Sequence, residues 1–450
     1  MGTLLDLLPF AGMSRLELGL WSFPVLLGMI FLRAPIGLAM LLCGFGGWYF
    51  AMNGNPVPLL AKLKSETYTT FSSYSLTIIP LFLLMGQFAT LSGMSTALFK
   101  AAESFLGHRR GGVAMAAIGA CAGFGAICGS SLATAATMGK VALPELRRYG
   151  YSGGFSTATL AAGGTLGILI PPSVILVIYA IITEQNIAKL FLAAFIPGIL
   201  AAAGYVLTIS LYVRLYPNSA GTRPPIPMAE RWKALGNTWP VLAIFGLVVG
   251  GIYAGWFTPT EGAAIGAAGT GIVAMISGNL KWPTFKEALL GTGKTTAMIF
   301  FIVLGASFYN GFLALSGVPQ YMADYVLNQG FSPWFVLAII LTFYLIFGCA
   351  IDSLSMILLT VPIFFPVISM MDFGLSPEHV AIWFGILVLI VVEVGLITPP
   401  VGMNLFIING MDRETKITDT YKAVMFFVGS DIVRVVILVA FPTITLFLIP

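Results

Sequence analysis

The sequence predicts an all-α polytopic membrane protein with two re-entrant hairpins and two helices interrupted by Pro-Pro pairs. Three observations carry this. The 450 residues are 58% hydrophobic and only 9% charged, with a mean hydropathy of +0.96, whereas soluble domains carry about 25% charged residues. Apolar runs long enough to span a bilayer, roughly 20 residues each, follow one another with short breaks. Two distant runs end in the same word, Gly167-Ile168-Leu169-Ile170-Pro171-Pro172 and Gly395-Leu396-Ile397-Thr398-Pro399-Pro400.

Full spans fit near 16–32, 36–52, 70–92, 152–182, 187–213, 237–257, 261–279, 296–315, 380–410 and 433–449. The stretch 111–148 behaves otherwise. Arg109-Arg110 and Arg147-Arg148 bracket it, and its middle, Cys128-Gly129-Ser130-Ser131, carries no charge. Both ends therefore belong on one face, as in a hairpin that enters and leaves on the same side. The stretch 332–372 has no basic flank and is followed by Asp372, Glu378 and His379, so it enters from the opposite side. With the amino terminus outside, only Arg15, Lys62, Lys64 and Lys189 of the 22 basic residues lie outside, and 18 fall inside. That is the bias of a bacterial inner-membrane protein. Ten crossings and two opposed hairpins make an inverted repeat. Asp6 and Glu17 before the first apolar run, with no small-residue cleavage site after it, exclude a signal peptide.

The organisation follows: scaffold helices and an arm over 1–110, the first hairpin and transport unit over 111–213, and a cytoplasmic linker over 214–236. Scaffold helices of the second half cover 237–331, the second hairpin and transport unit 332–415, and an arm with the last helix 416–450. The segments 94–107 and 416–430, mixed in polarity, read as surface-lying helices. A weaker echo links the halves, Phe88-x-x-Leu91-Ser92-Gly93 against Phe312-x-x-Leu315-Ser316-Gly317, and it recurs 38 and 36 residues before Ser131 and Ser353.

Proline removes an N–H donor and clashes with the carbonyl one turn back, so a Pro-Pro pair unwinds a helix. At membrane depth such backbone is tolerated only where it is buried in protein or lines a cavity. Interrupted helices at matching places in two halves mark a transporter's binding site. Close packing alone explains one small residue at a hairpin tip, but not two tips each followed by a Pro-Pro break. Carbonyls freed before Pro171 and Pro399, joined by tip hydroxyls, form a cage of neutral oxygens suited to a small hard cation such as sodium. Half-helix amino termini after Pro172 and Pro400 favour a carboxylate or sulfonate between the tips. The polar residues placed there are Ser131, Thr134, Ser173, Ser353 and Asn404. Asp352 and Glu393 put carboxylates at membrane depth, where ionised groups are costly and functional. Glu393 either titrates or hydrogen-bonds between packed helices.

Other chemistries fall away. Gly291-Thr292-Gly293-Lys294-Thr295 has Ala288 where a phosphate loop needs its leading glycine, and no strand precedes it, so Lys294 reads as a cytoplasmic helix flank. His108 and His379 are the only histidines and lie at loop edges, so no triad or histidine metal centre forms. Cys43, Cys121, Cys128 and Cys349 read as small buried hydrophobes. The chain is expected not to be an enzyme and to need no cofactor beyond a coupling Na+.

Taken together, these words resemble the large membrane subunit of the tripartite ATP-independent periplasmic (TRAP) transporters, over nearly the whole chain. The carrying stretches are Gly129-Ser130-Ser131-x-Ala133-Thr134, Leu143-Pro144-Glu145 with Gly150-Tyr151, Thr165 to Ser173, and Gly395 to Phe406. The resemblance implies an elevator transporter of inverted repeats, coupled to sodium. It also implies a small membrane subunit of four helices and a periplasmic binding protein that delivers an organic acid. With no four-helix segment before residue 16, that small subunit is expected as a separate chain. Carried over by motif, one sodium site resembles Ser130, Gly167, Ile170 and Pro172; the other joins Asp352, Ser353 and Ser355 to Gly395, Thr398 and Val401. The rival readings are a stand-alone dicarboxylate or anion–sodium symporter of related fold, and a proton-coupled variant using Glu393.

Overall fold

The computed structural model describes residues 12–449, and Asp6 lies outside them. Among the described residues every regular element is helical. Two compact units emerge: residues 12–76, 294–340 and 354–381 form one, and residues 77–293, 341–353 and 382–449 the other.

In the first unit the helices Arg15–Phe31 and Ile36–Ala51 match the first two predicted spans. Glycines along Ile36–Ala51 let it lie backbone to backbone on the later part of the helix Trp282–Ser316. A Cβ on Gly37 would come 3.0 Å from Ile302 Cα, and one on Gly44 3.0 Å from Tyr309 Cα. The two sites are seven residues apart, two helical turns, so they share one face. Ser22 and Tyr309 close the contact with a buried 2.8 Å hydrogen bond.

The second unit holds the first hairpin. Gly112–Cys128 and Ser131–Arg148 are helices of 17 and 18 residues, about 26 Å each and short of a bilayer's roughly 30 Å core. Gly129, at φ +64°, supplies the left-handed residue that reverses the chain at the tip. The next span is broken as expected, Gly153–Leu169 and Val174–Ile182 meeting at 45° around Pro171 and Pro172. The second broken span comprises Pro377–Gly395 and Met403–Met411. Both Pro-Pro peptides are cis. The second hairpin's helices are Pro333–Gly348 and Ser353–Ser369.

Several sequence expectations shift. Residues 416–430 are not a separate surface helix: Ile417–Ala440 runs unbroken for 24 residues and carries both that segment and the start of the predicted last span. The counterpart of Met94–Leu106 is instead Val318–Asn328, since both follow the Leu-Ser-Gly word and both glycines, Gly93 and Gly317, are left-handed at φ +77° and +76°. Lys294 lies inside the 35-residue helix Trp282–Ser316, which at about 1.5 Å per residue outruns the bilayer core, so the helix continues through Lys294 before the predicted span 296–315. The segment Pro56–Ser72 forms its own helix, bent by 54° from the span that follows. Arg434 is buried, paired at 2.9 Å with Asp431 on the same helix. The four cysteines are free and buried, as expected.

The glycine seam gives a stability prediction. Gly44→Leu should lower the melting temperature in detergent by several degrees, in line with the 1–3 kcal/mol that overpacking typically costs. Gly46→Leu, where a Cβ meets nothing within 4 Å, should leave it nearly unchanged. Equal shifts for the two variants would contradict the seam.

Candidate functional site

The two Pro-Pro breaks are built alike. Gly167 and Gly395 each stand four residues before the first proline, and each touches a glycine near the end of a hairpin's first helix. A Cβ on Gly125 would lie 2.6 Å from Gly167 Cα, and one on Gly395 would lie 2.7 Å from Gly348 Cα. Side chains of any size would hold tip and break apart. Instead, backbone meets backbone.

At the first break, Ser130 caps the helix Ser131–Arg148, its hydroxyl accepting from Ala133 N at 3.4 Å. Its carbonyl would lie 2.8 Å from a Cβ on Gly167, and Thr134 Oγ1 would collide with that Cβ. Ile170 ends the helix in extended conformation, its N–H donating to Leu166 O at 3.1 Å. Pro172 O faces the tip, 3.0 Å from a Cβ on Gly129. Ser130, Gly167 and Pro172 therefore cluster, with Ile170 in the connecting turn. Ser173 then caps Val174–Ile182, accepting from Leu176 N at 3.4 Å.

At the second break, Thr398 Oγ1 donates to Val394 O at 2.6 Å, which leaves its lone pairs outward. Gly402 N donates to Cys349 O at 3.3 Å, tying the turn after Pro400 to the second hairpin. Tyr421 reaches in from Ile417–Ala440, its hydroxyl donating to Pro400 O at 2.6 Å and more weakly to Val401 O at 3.5 Å. Tyr421 is not legible from sequence, because nothing in its neighbourhood marks it. Asp352 immediately precedes the helix that Ser353 begins, and Ser355 is buried on that helix.

Of the polar residues expected between the tips, Ser131, Thr134, Ser173, Ser353 and Asn404 are all buried. Asn404 Nδ2 donates to Ala161 O at 3.2 Å, while its Oδ1 and Thr134 Oγ1 have no partner. The tips themselves meet at one carboxylate. Ser353 Oγ donates to Glu393 Oε1 at 2.8 Å, and Ser131 Oγ donates to Glu393 Oε2. Glu393 is fully buried and, among the described residues, has no basic partner within ion-pair distance. The sequence singled out Glu393 for its depth, but only the fold makes it the junction.

Two further clusters brace this region. Arg147, closing the first hairpin's second helix, pairs with buried Asp412 and, at 3.2 Å, with Glu414. Asp431, besides its Arg434 partner, accepts from Tyr205 OH at 2.8 Å, which in turn lies 3.0 Å from Thr165 Oγ1.

A hairpin tip packed on a Pro-Pro break, once in each half, is where the sequence and the fold agree most closely. The family profile "Tripartite ATP-independent periplasmic transporter, DctM component" matches residues 23–444. The chain belongs to this family. It is 37% identical over 353 residues to the C4-dicarboxylate TRAP transporter large permease protein DctM of Pseudomonas aeruginosa, covering 78% of this chain and 80% of the relative. It is 30% identical over 388 residues to the sialic acid TRAP transporter large permease protein SiaM of Vibrio cholerae, covering 85% and 87%. The isethionate TRAP transporter permease protein DctMQ of Oleidesulfovibrio alaskensis is 30% identical over 432 residues, 94% of this chain and 66% of the longer relative. Among solved structures, the Alcanivorax borkumensis YdaH transporter shares the fold with a TM-score of 0.61 at 14% identity, covering 96% of this chain and 98% of that one. As in other members of the family, the helices form a multi-pass membrane protein, with transport rather than catalysis as the family's work.

The carboxylate junction is open to a double-mutant test. Ser131→Ala and Ser353→Ala each remove one donor from a buried carboxylate, a loss of about 1–3 kcal/mol. Each should lower the melting temperature of the purified protein. In a Glu393→Gln background the same serine changes should cost less than half as much, because the charge they serve is gone. Additive losses would show that the serines and Glu393 act independently.

Proposed function

We propose that this chain is the large permease of a sodium-coupled TRAP system that imports a small organic anion across the bacterial inner membrane by an elevator movement. What supports the reading is the paired arrangement of tip hydroxyl and Pro-Pro break, repeated in both halves of a member of this family. Ser130 with the carbonyls of Gly167, Ile170 and Pro172 offers one set of neutral oxygens. Thr398 with Ser353 and the carbonyls of Gly395 and Val401, joined by the Asp352 carboxylate, offers another set of oxygens. Both sets suit sodium, a hard cation that takes about five or six oxygen ligands by the logic that governs calcium and magnesium. The anion sits by Ser131, Thr134, Ser173, Ser353 and Asn404, where half-helix amino termini favour negative charge.

Relatives are named for C4-dicarboxylates, sialic acid and isethionate. Their shared chemistry is a small organic acid bearing a carboxylate or sulfonate, and that class is assigned to this permease. A periplasmic binding protein delivers the anion. A small membrane subunit of four helices, fused in relatives of the DctMQ type, accompanies this permease as a separate chain. Alternating access is travel of residues near 111–183 and 333–410, in opposed repeats, against the remaining helices.

Reconstitution in proteoliposomes with the small subunit, with and without the binding protein, tests the reading. Uptake should require both the binding protein and a sodium gradient. Uptake without the binding protein would instead identify a stand-alone symporter. Ser130→Ala and Thr398→Ala should each raise the sodium concentration for half-maximal uptake roughly tenfold, about 1.4 kcal/mol per lost ligand. Unchanged sodium dependence in both would remove these residues from the ion sites.

The elevator element has its own check. A crosslink joining the segment 111–183 to the helix Trp239–Phe245 should abolish uptake while sodium still raises the melting temperature. Uptake at normal rate through the crosslinked protein would replace the elevator with a local gate.

A further inference from the structure

The segment 214–236 reads from sequence as a cytoplasmic linker, yet its last nine residues form the helix Met228–Gly236, none of them buried. Glu230 in the first turn and Lys233 in the last suit the helix dipole. The apolar side chains do not suit water. Met228, Trp232 and Leu235 follow one another at four and three residues, the spacing of a single helix face, and are 57%, 61% and 37% exposed. Trp239, 65% exposed, opens the next helix, Trp239–Phe245. A row of large apolar groups left bare on a surface marks an interaction site. A helix lying in the headgroup region of a bilayer covers such a row.

The helix is backed by Met94–Leu106, where Phe105 meets Trp232 edge to face at 6.0 Å between ring centres. Just past that helix, Gly107 O accepts from Arg223 N at 2.9 Å, and Arg223 Nη1 reaches Glu103 Oε2 at 2.7 Å. Glu103 is the only acid of Met94–Leu106, so the linker itself neutralises it. What remains outward is basic. Lys100 and Lys233 are exposed and have no carboxylate within ion-pair distance among the described residues. Arg231 gives its Nε to Ile226 O at 2.9 Å and keeps its other donors. His108, Arg109 and Arg110 follow Met94–Leu106, all exposed. Against them stands Glu230 alone. The stretch Trp239–Tyr253 departs from the axis of Met228–Gly236 by 44°, so the apolar row does not simply prolong that span. Trp239 stands at the bend, the side chain that anchors at the headgroup level.

We propose that Met228–Gly236, backed by Met94–Leu106, is a docking surface for anionic phospholipid headgroups of the cytoplasmic leaflet. Met228, Trp232 and Leu235 sink into the boundary between headgroups and chains, and Arg231, Lys233 and Lys100 meet lipid phosphates. Arginine suits a phosphate by its two-pronged fork and lysine as a point charge. A neutral phospholipid covers the apolar row equally well but leaves the basic excess unmatched, which is why the occupant carries negative charge. None of the residues assigned to sodium or to the substrate anion takes part.

The test is quenching of Trp232 by brominated lipid in nanodiscs that hold the whole permease. Emission of the wild type minus that of Trp232→Phe isolates Trp232 among the eight tryptophans. Phosphatidylglycerol or phosphatidylcholine, each brominated near the headgroup end of its chains, is titrated into unbrominated phosphatidylcholine. In the wild type, half-maximal quenching should need a mole fraction of phosphatidylglycerol at least about fivefold lower than of phosphatidylcholine. That ratio corresponds to about 1 kcal/mol, the worth of one basic side chain near an anionic surface. With Arg231→Gln and Lys233→Gln combined, the two lipids should quench alike. KCl well above physiological ionic strength should also bring the two wild-type curves together, a measurement that serves if the double variant does not fold. No quenching of Trp232 by either lipid would overturn the lipid surface and leave the apolar row to a soluble partner. Equal quenching by both lipids in the wild type would overturn the anionic occupant. A preference for phosphatidylglycerol that survives intact in the double variant would remove Arg231 and Lys233 from the site.

Discussion

Everything at the candidate site depends on two places where backbone touches backbone with no side chain between. Gly125 against Gly167, and Gly348 against Gly395, bring a hairpin tip onto a broken helix in each half. Unwound backbone at membrane depth leaves polar groups that lipid cannot satisfy. Close approach lets the second tip supply one missing partner, Cys349 O taking the Gly402 N–H, and brings Pro172 O up against the turn at Gly129. A methyl group at any of the four glycines would open a gap at the membrane protein's most polar point. The serine–Glu393 junction and the backbone proposed above to hold ions lie beside these contacts.

The junction adds a second constraint. A charge enclosed without a counter-ion costs several kcal/mol, far more than two neutral hydroxyls return. Asp431 offers the contrast, since Arg434 and Tyr205 balance it permanently. Two buried carboxylates in one unit thus have different surroundings, Asp431 beside Arg434 and Tyr205, and Glu393 held by two serine hydroxyls. Tyr421 follows the same logic on a smaller scale, its hydroxyl occupying Pro400 O and reaching toward Val401 O, a carbonyl assigned to the second sodium set.

The sequence determined much of this by itself. Apolar runs fixed the helices Arg15–Phe31, Ile36–Ala51, Ile187–Leu215 and Pro259–Ile276 nearly to the residue, because in a membrane protein span length is set by bilayer thickness rather than by neighbours. The Pro-Pro words fixed both breaks, because proline acts on its own backbone whatever surrounds it. The left-handed glycines at 93 and 317 end their helices through the same local rule. What local rules do not reach is where one helix continues into another. Nothing within 416–440 forbids a single helix, so only the tertiary structure shows that Ile417–Ala440 runs through. Charge counting took Arg434 as one more basic residue, and a sequence cannot show that Asp431 is its partner one helical turn away in a buried network. Glu393 was legible as a carboxylate at depth, yet Ser131 and Ser353 lie 262 and 40 residues from it. Separations of that size carry no local signal, and only the tertiary structure brings two serines from different hairpins to the two oxygens of one side chain.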